Sequence, residues 1–269
     1  MHYDPIKDIF AKIIGTNKFL RITFYKLLDL LFLRSWYIRK ELKQILFKKN
    51  VDNLEIYDAG TGFGQYTYFI SKNFKKAKIY SADIKEDYIN DCKIFFQKLG
   101  IKNVSFAVED LKTINHKNRF DLILCVDVME HIDDDVTVLK NFYNALKNDG
   151  ILLINSPSIY GGSDVHNEND ESFIGEHFRV GYSKEELFDK LNLVGFNNSS
   201  GFYTYGFWGN LAWRLAIKYP ILMINFSKLF FILLPFYYLI VLHFALFFMW
   251  LDTKSKISKG SGIIVIAQK

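Results

Sequence analysis

Leu54-Glu55-Ile56-Tyr57-Asp58-Ala59-Gly60-Thr61-Gly62-Phe63-Gly64 carries the strongest fold signal in the chain. Its first five residues form a short apolar run ending in an acid, as a buried strand does on reaching the edge of its sheet. The glycines that follow break regular structure and let a ligand approach the backbone closely. In the dinucleotide fingerprint G-x-G-x-x-G the third glycine would stand at position 65, which is Gln65. The spacing here is G-x-G-x-G with Asp58 just upstream. An acid is a poor neighbour for a pyrophosphate and a good one for a cationic amino-acid ligand. This disfavours a dinucleotide oxidoreductase. A plain tight turn has the same glycines, so the surroundings must decide.

Outward from this stretch, strand-like and helix-like segments alternate. Tyr66 to Asn73 reads as helix, Lys78 to Asp83 as strand, Asp87 to Leu99 as helix, and Val104 to Val108 and Phe120 to Val126 as strands. A helix begins at Asp133-Asp134-Asp135, where acids suit the helix dipole, and runs through Leu146. Gly150 breaks it, and Ile151 to Asn155 is the fifth strand. Ser183 to Glu186 matches a capping box, opening a helix to about Asn192. A sixth strand falls within Val194 to Tyr205. Ile263 to Ala267, within the final segment Ser261 to Lys269, is the seventh. The pattern predicts an α/β fold: a Rossmann-like, doubly wound, seven-stranded sheet preceded by N-terminal helices.

Four acid-bearing turns fall at the carboxyl ends of four successive strands. Asp58 is the first. Asp83 follows the glycines by about 20 residues, where a carboxylate accepts from both ribose hydroxyls. Asp110, in Glu109-Asp110-Leu111, is placed to accept from an adenine amino group. Asp127 opens Asp127-Val128-Met129-Glu130-His131. Each acid alone reads as a helix cap or a solvated turn residue; four on one edge point to one ligand.

These residues resemble the class I S-adenosylmethionine-dependent methyltransferases, nearest the methyltransferase type 11 and 12 group. The resemblance covers residues 36–205 and 261–269 and includes Phe178 to Leu187, similar to a recurrent family stretch. It implies S-adenosylmethionine as cofactor, held by Asp58, Gly60, Thr61, Gly62, Gly64, Asp83, Ile84, Asp110, Leu111 and Asp127. It also implies a sheet whose seventh strand inserts between two others in an antiparallel hairpin. The fold hosts many acceptors, so the resemblance says little about substrate. One departure is plain: residues 206–260 separate the last two strands, where a few residues suffice.

Methyl transfer from a sulfonium carries its own leaving group, so the protein positions and desolvates the acceptor. An alcohol, phenol or amine acceptor still calls for a base. His131, after the fourth strand, is the first candidate; ordering the loop is its competing role. His177 lies in the region after the fifth strand that often covers the acceptor. His166, Glu168 and Glu176 share that region, but their spacing matches no strong metal pattern, and no metal is expected. Gly161-Gly162 suits a mobile lid.

Half of the 269 residues are apolar and 17% aromatic, enough for a sizeable core and against disorder. The net charge of +5 is unevenly spread: residues 1–50 hold 11 Lys/Arg against 4 Asp/Glu, a net of +7. Apolar residues at helical spacing predict two or three helices over residues 5–50. Basic and apolar together, they fit an anionic membrane surface; packing of their apolar face on the domain is the competing reading. Nucleic acid is not expected, because the cations interleave with apolar positions instead of lining a polar groove. Cys92 and Cys125 show no metal or redox spacing, which fits a reducing compartment. The N-terminal residues lack the pattern of a secretory signal.

Leu229 to Leu251 is 23 residues without a formal charge, taking His243 as neutral. As one helix it is about 35 Å long against a hydrocarbon core of about 30 Å. A single pass would leave the seventh strand across the membrane from its sheet, so the insertion must return to the side it left. Pro220 and Pro235 divide it into Ile221–Leu234 and Phe236–Leu251, about 21 and 24 Å as helices. A re-entrant hairpin, or two helices in the interface, satisfies both length and topology. Lys228 favours shallow insertion by snorkelling. Arg214 and Lys218 flank one end and Lys254, Lys256 and Lys259 the other, as on a cytoplasmic face. A buried helical pair or a dimer interface in a soluble protein is the competing reading.

The sequence thus divides into basic helices (1–50), a cofactor-binding domain (51–205 with 261–269) and an apolar helical insertion (206–260). The expected function is methylation of a lipid-borne or hydrophobic, lipid-linked acceptor at one leaflet of a lipid bilayer, with oxygen favoured as acceptor atom. A membrane-recruited binding or scaffold protein that keeps the fold without turnover is the alternative. The oligomeric state is left open.

Overall fold

The computed structural model describes residues 17–49, 53–161 and 178–269. Two helices come first, α1 (Lys18–Leu31) and α2 (Leu33–Lys48). The alternating region follows as β1 (Glu55–Ala59), α3 (Gln65–Asn73), β2 (Lys78–Asp83), α4 (Glu86–Lys98), β3 (Val104–Val108) and β4 (Phe120–Val126). After a 3₁₀ turn at Met129–His131 come α5 (Asp135–Ala145), β5 (Leu146–Pro157), α6 (Lys184–Val194) and β6 (Asn198–Thr204). The chain ends with α7 (Phe207–Trp213), a π turn (Arg214–Lys218), α8 (Tyr219–Phe226), α9 (Phe230–Lys254) and β7 (Gly262–Gln268).

The seven strands form one sheet in the order β3-β2-β1-β4-β5-β7-β6. Neighbouring strands from β3 through β5 pair in parallel, while β7 runs antiparallel to both β5 and β6. The expected terminal hairpin is therefore present, with β7 inserted. The central parallel strands are buried on both faces, as their apolar runs require: Leu122, Ile123, Leu124 and Cys125 of β4 have no exposed surface, while β3 is an edge strand that keeps contact with water. Half of the expected capping box is present: Ser183 Oγ accepts from the Glu186 N–H at 3.0 Å, while the Glu186 carboxylate pairs with Arg179 and Lys190.

Helix α2 belongs to the core. Leu33, Ile38, Leu42 and Leu46 pack with Ile56, Ile70, Leu124 and Ile264 of the sheet layer. The apolar face of this helix is thus spent inside the protein.

The insertion is an antiparallel helical hairpin. Its first arm runs from Phe207 to Phe226 without leaving helical backbone, and its second is α9. The break lies at Ser227–Leu229, not at Pro235 as the sequence suggested. Pro235 sits in the second turn of α9, where it removes one backbone bond near the helix start. Pro220 acts differently. Having no N–H, it cannot bond the Ala216 carbonyl, and the chain widens there to a π turn in which Tyr219 N–H reaches the Arg214 carbonyl. The carbonyls of Leu215 and Ala216 are instead taken by the hydroxyls of Tyr237 and Tyr238, each at 2.7 Å. At the root, Asp252 Oδ1 accepts from Gly209 N–H at 2.8 Å and Oδ2 from the Tyr37 hydroxyl at 2.9 Å.

Asp252 is buried and joins both arms to α2. Replacing it with alanine leaves the Gly209 N–H and the Tyr37 hydroxyl without their acceptor. A loss of about 1–3 kcal/mol is expected, read as a lower apparent melting temperature of the purified protein; an unchanged value would show that the root does not depend on this carboxylate.

Candidate active site

Because β1, β2, β3 and β4 are parallel, their carboxyl ends share one edge of the sheet. The glycine turn leaves β1 there. Gly60, Gly62 and Gly64 all have left-handed backbone, with φ of 81°, 52° and 77°, which explains their identity at this spacing. Gly60 and Thr61 N–H both reach the Ala82 carbonyl at 2.9 Å, fastening the turn to the end of β2. A Cβ on Gly60 would stand 2.2 Å from Val128 Cγ2, whereas one on Gly62 would meet open space. The turn is thus braced from below at Gly60 and open at Gly62.

Asp58 is buried, and its Oδ2 accepts from Thr61 Oγ1 at 2.9 Å and Thr67 Oγ1 at 2.5 Å. Burial pushes its carboxyl up to about 6, with the two threonine bonds pulling the other way. Its geometric role is to order the turn from within. Asp83 Oδ2 accepts from Gly62 N–H at 2.8 Å and Oδ1 from Lys85 N–H at 3.0 Å. Those bonds aim the carboxylate across the turn, and each oxygen keeps a lone pair for a further donor. Ile84 is exposed beside it. Asp110 Oδ1 accepts from Lys112 N–H at 2.9 Å in a short turn, and Leu111 is buried next to it. Glu109, its neighbour, turns inward to the hydroxyls of Tyr57 and Tyr80 at 2.9 and 2.7 Å.

Asp127 stands at the end of β4 with φ of 52°. Asn155 Nδ2 donates to its Oδ1 at 2.5 Å, and the Arg34 guanidinium pairs with its Oδ2. Arg34 comes from the first turn of α2, and its backbone N–H bonds the Tyr205 hydroxyl at 2.9 Å. Tyr66, Tyr205 and Glu130 lie within electrostatic reach of its charge. Glu130 is buried, accepts from Ser156 Oγ at 3.0 Å, and has its carboxyl held above the usual range by burial. Two donors in this group, Arg34 Nε and Tyr66 Oη, are buried without a hydrogen-bond partner. His131 ends the 3₁₀ turn on the same edge, half-buried. His177, like His166, Glu168, Glu176 and Gly162, lies outside the described residues. Among the described residues no cluster of His, Cys, Asp or Glu is arranged to hold a metal.

The structure therefore brings Asp58, the glycine turn, Asp83, Asp127 and His131 to one edge. It adds Arg34, Tyr66, Glu130 and Tyr205, which sequence reasoning missed. Glu130 stands in the segment after β4 directly before His131, and Arg34 stands among the basic N-terminal residues, where nothing local marks it as the one that turns inward.

A methyltransferase domain family model matches residues 50–193, more than half of the chain, and the chain belongs to that family. The sheet order and the inserted β7 are those of the class I methyltransferase fold. Among curated relatives, a malonyl-[acyl-carrier protein] O-methyltransferase from Bacillus cereus is 28% identical over 145 residues, covering 50% of this chain and 52% of the relative. An (S)-coclaurine N-methyltransferase from Papaver somniferum is 31% identical over 107 residues, 38% of this chain and 29% of the relative. The chain thus spans about half or less of the length of these relatives. The phosphoethanolamine N-methyltransferase 2 of Haemonchus contortus, solved in complex with S-adenosyl-L-methionine, shares the fold with a TM-score of 0.62 at 16% identity, covering 97% of this chain and 59% of that one.

Replacing Gly60 with alanine forces a left-handed backbone on a residue with a Cβ and drives that Cβ into Val128. The left-handed backbone costs the folded chain about 1–2 kcal/mol, and relieving it moves the turn out of place. Calorimetry with S-adenosylmethionine is expected to show weakened binding, with the fold retained by circular dichroism; unchanged affinity would show that the turn does not hold the cofactor.

Proposed function

We propose that the chain is an S-adenosylmethionine-dependent methyltransferase held in one leaflet on the cytoplasmic face of a membrane, acting on a lipid-borne or hydrophobic acceptor, with oxygen favoured as the accepting atom. The observation that carries this reading is the placement of the hairpin. Strand β6 is parallel to β5, so the β6–β7 connection leaves and rejoins the sheet at the carboxyl edge. The apolar hairpin and the candidate cofactor residues stand on the same edge.

The residues present fit the cofactor. Gly62 leaves open space over the turn, and Asp83 is aimed across it to accept from ribose hydroxyls. Asp110 and Leu111 suit the adenine side. Arg34 Nε and Tyr66 Oη, both unsatisfied, suit the carboxylate of an amino-acid end, and Asp127 suits its ammonium group. When bound, the cofactor supplies an electrophilic methyl group together with its leaving group. His131 is the proposed base that takes the acceptor's proton, and His177 a second residue over the acceptor. The chain's remaining task is to exclude water and orient the acceptor.

Among the described residues one helix, Phe230–Lys254, is long and apolar enough to cross a membrane, with a mean hydropathy of 2.3 and 6% of its apolar window buried. Ala216 and Ala245 are the buried residues farthest out along the arms, save Pro220. Beyond them run residues 217–226 and 230–244, about 15 and 22 Å of helix, comparable to one leaflet of a core about 30 Å thick. Lys228 lies at the tip, and an inclined hairpin returns its ammonium group to the headgroups.

Three measurements test this reading. Calorimetry is expected to show S-adenosylmethionine binding that weakens as pH falls through about 6, because protonation of Asp58 removes the charge its threonines orient; a flat profile across that range removes Asp58 from cofactor recognition. Incubation of the full chain with a lipid extract and isotopically labelled methyl donor is expected to place label on a lipid, and His131→Ala to slow turnover at saturating acceptor. A chain that stays soluble without detergent, and whose partitioning is unchanged by deleting 206–260, defeats the membrane assignment.

A further inference from the structure

A surface helix ordinarily turns its apolar stripe to the protein and its polar stripe to water. Helix α1 keeps only part of this pattern. Ile22, Phe24 and Leu31 pack on the domain, yet its deepest contacts are Arg21, 1% exposed, and Tyr25, 2% exposed, joined by Asp29, which accepts from Gln65 Nε2 at 2.9 Å and pairs with Arg39. Phe19, Leu20, Leu27 and Leu30 face outward, Phe19 with 69% of its surface exposed. Exposed Lys18 and Lys26 stand among them. We propose that this face of α1 is a second bilayer contact, selective for anionic lipid, and that it couples docking at the lipid surface to the cofactor turn.

The proposal rests on the reading that the hairpin sits in a bilayer, and the fold places α1 beside it. Leu33, two residues after α1, packs against Gly209 at the hairpin root. An apolar stripe carrying lysines, in a region with a net of +7, matches an anionic lipid surface. It does not match a second copy of itself, whose lysines would oppose these.

The coupling follows from what the inner face grips. Arg21 Nη2 donates to the Phe63 carbonyl at 2.7 Å, and the Tyr25 hydroxyl donates to the same oxygen. Arg21 Nη1 pairs with Asp91 at 2.5 Å, and Nη2 also reaches Cys92 Sγ at 3.2 Å. Cys92 in turn contacts the Gly62 carbonyl at 3.5 Å. Gly62, Phe63 and Gly64 are the outer half of the glycine turn. Arg21 and Tyr25 are four residues apart, so both reach one carbonyl only while the segment is helical. A 14-residue helix is marginal by itself in water. A bilayer that takes the outer face favours the helix, and so favours the grip on the turn. Linkage then requires that lipid tighten cofactor binding by the factor by which cofactor tightens lipid binding.

The test uses the full chain with vesicles of zwitterionic lipid alone or mixed with phosphatidylglycerol. Affinity for S-adenosylmethionine is read by calorimetry, and partitioning by co-sedimentation with and without the cofactor. Anionic vesicles are expected to tighten cofactor binding by about fivefold or more, and the cofactor to raise partitioning by the same factor. The exposed double variant L20S/L27S is expected to bind cofactor as before in vesicle-free buffer, to sediment still through the hairpin, and to lose the gain. Wild-type protein that sediments with no change in cofactor affinity overturns the coupling and leaves the hairpin reading standing. Failure to sediment with any vesicle overturns both. A gain that follows protein concentration without lipid identifies a second copy as the occupant and overturns the proposal, as does a gain that survives in L20S/L27S.

Discussion

Strand β7 pairs with β5 on one side and β6 on the other, antiparallel to each, from Gly262 to Gln268. Ile263, Ile264, Val265 and Ala267 are buried between the sheet's two helical layers. An interior strand cannot be left out without exposing two edges and an apolar core. Its direction fixes that of β6, and with it the edge from which the insertion springs. If β6 ran the other way, the hairpin would emerge among the amino ends of the parallel strands, remote from the glycine turn. The location of the apolar surface relative to the site is therefore a consequence of sheet pairing, set before any property of the hairpin is considered.

On the proposed reading the hairpin sits in a setting without water. Pro220 and the π turn free two backbone carbonyls in the first arm, and such groups are costly to leave unmade in hydrocarbon. Tyr237 and Tyr238, adjacent on the second arm, supply both donors from within the protein. The same bonds fix the register of the two arms. At the other end Asp252 joins the arms to α2, whose first turn carries Arg34. One covalent and hydrogen-bonded path thus runs from the exposed apolar helices to the side chain that pairs with Asp127.

Much of this was legible in the sequence. The bounds of β4 follow from an apolar run cut off by polar residues, because a largely buried parallel strand has no alternative composition. The acids at the strand ends were legible for the same reason: where a strand stops, its edge begins. Their separate tasks were not. Asp58 and Asp83 look alike in sequence, yet one turns inward to Thr61 and Thr67 while the other crosses the turn to Gly62. Arg34 was hidden because its partner is distant along the chain, and composition treats every arginine of residues 1–50 alike. Pro235 misled because proline marks a helix break only where the lost bond and the ring cannot be absorbed, and early in α9 they can. The outward apolar residues of α1 are invisible to periodicity, which finds a stripe without saying which side of it meets the protein.

The electrostatics of the edge explain why so many buried charges persist there. Glu130 is buried, Asp127 is part-exposed at the mouth of the same edge, and the Arg34 guanidinium lies beside both. Such a pair contributes little net stability, since desolvation consumes most of its Coulomb energy. Its value lies in what it can exchange. An amino-acid end is a zwitterion, and on the proposed reading its ammonium group faces Asp127 while its carboxylate faces Arg34 and Tyr66. The ligand then replaces one internal ion pair by two, with no change in the net charge of the site. A singly charged ligand would leave one side chain stranded and pay its full desolvation cost. On that reading, selection for the amino-acid end uses residues that already pair with one another, provided α2 stays seated, and α2 is seated by the core that also holds Ile264 of β7.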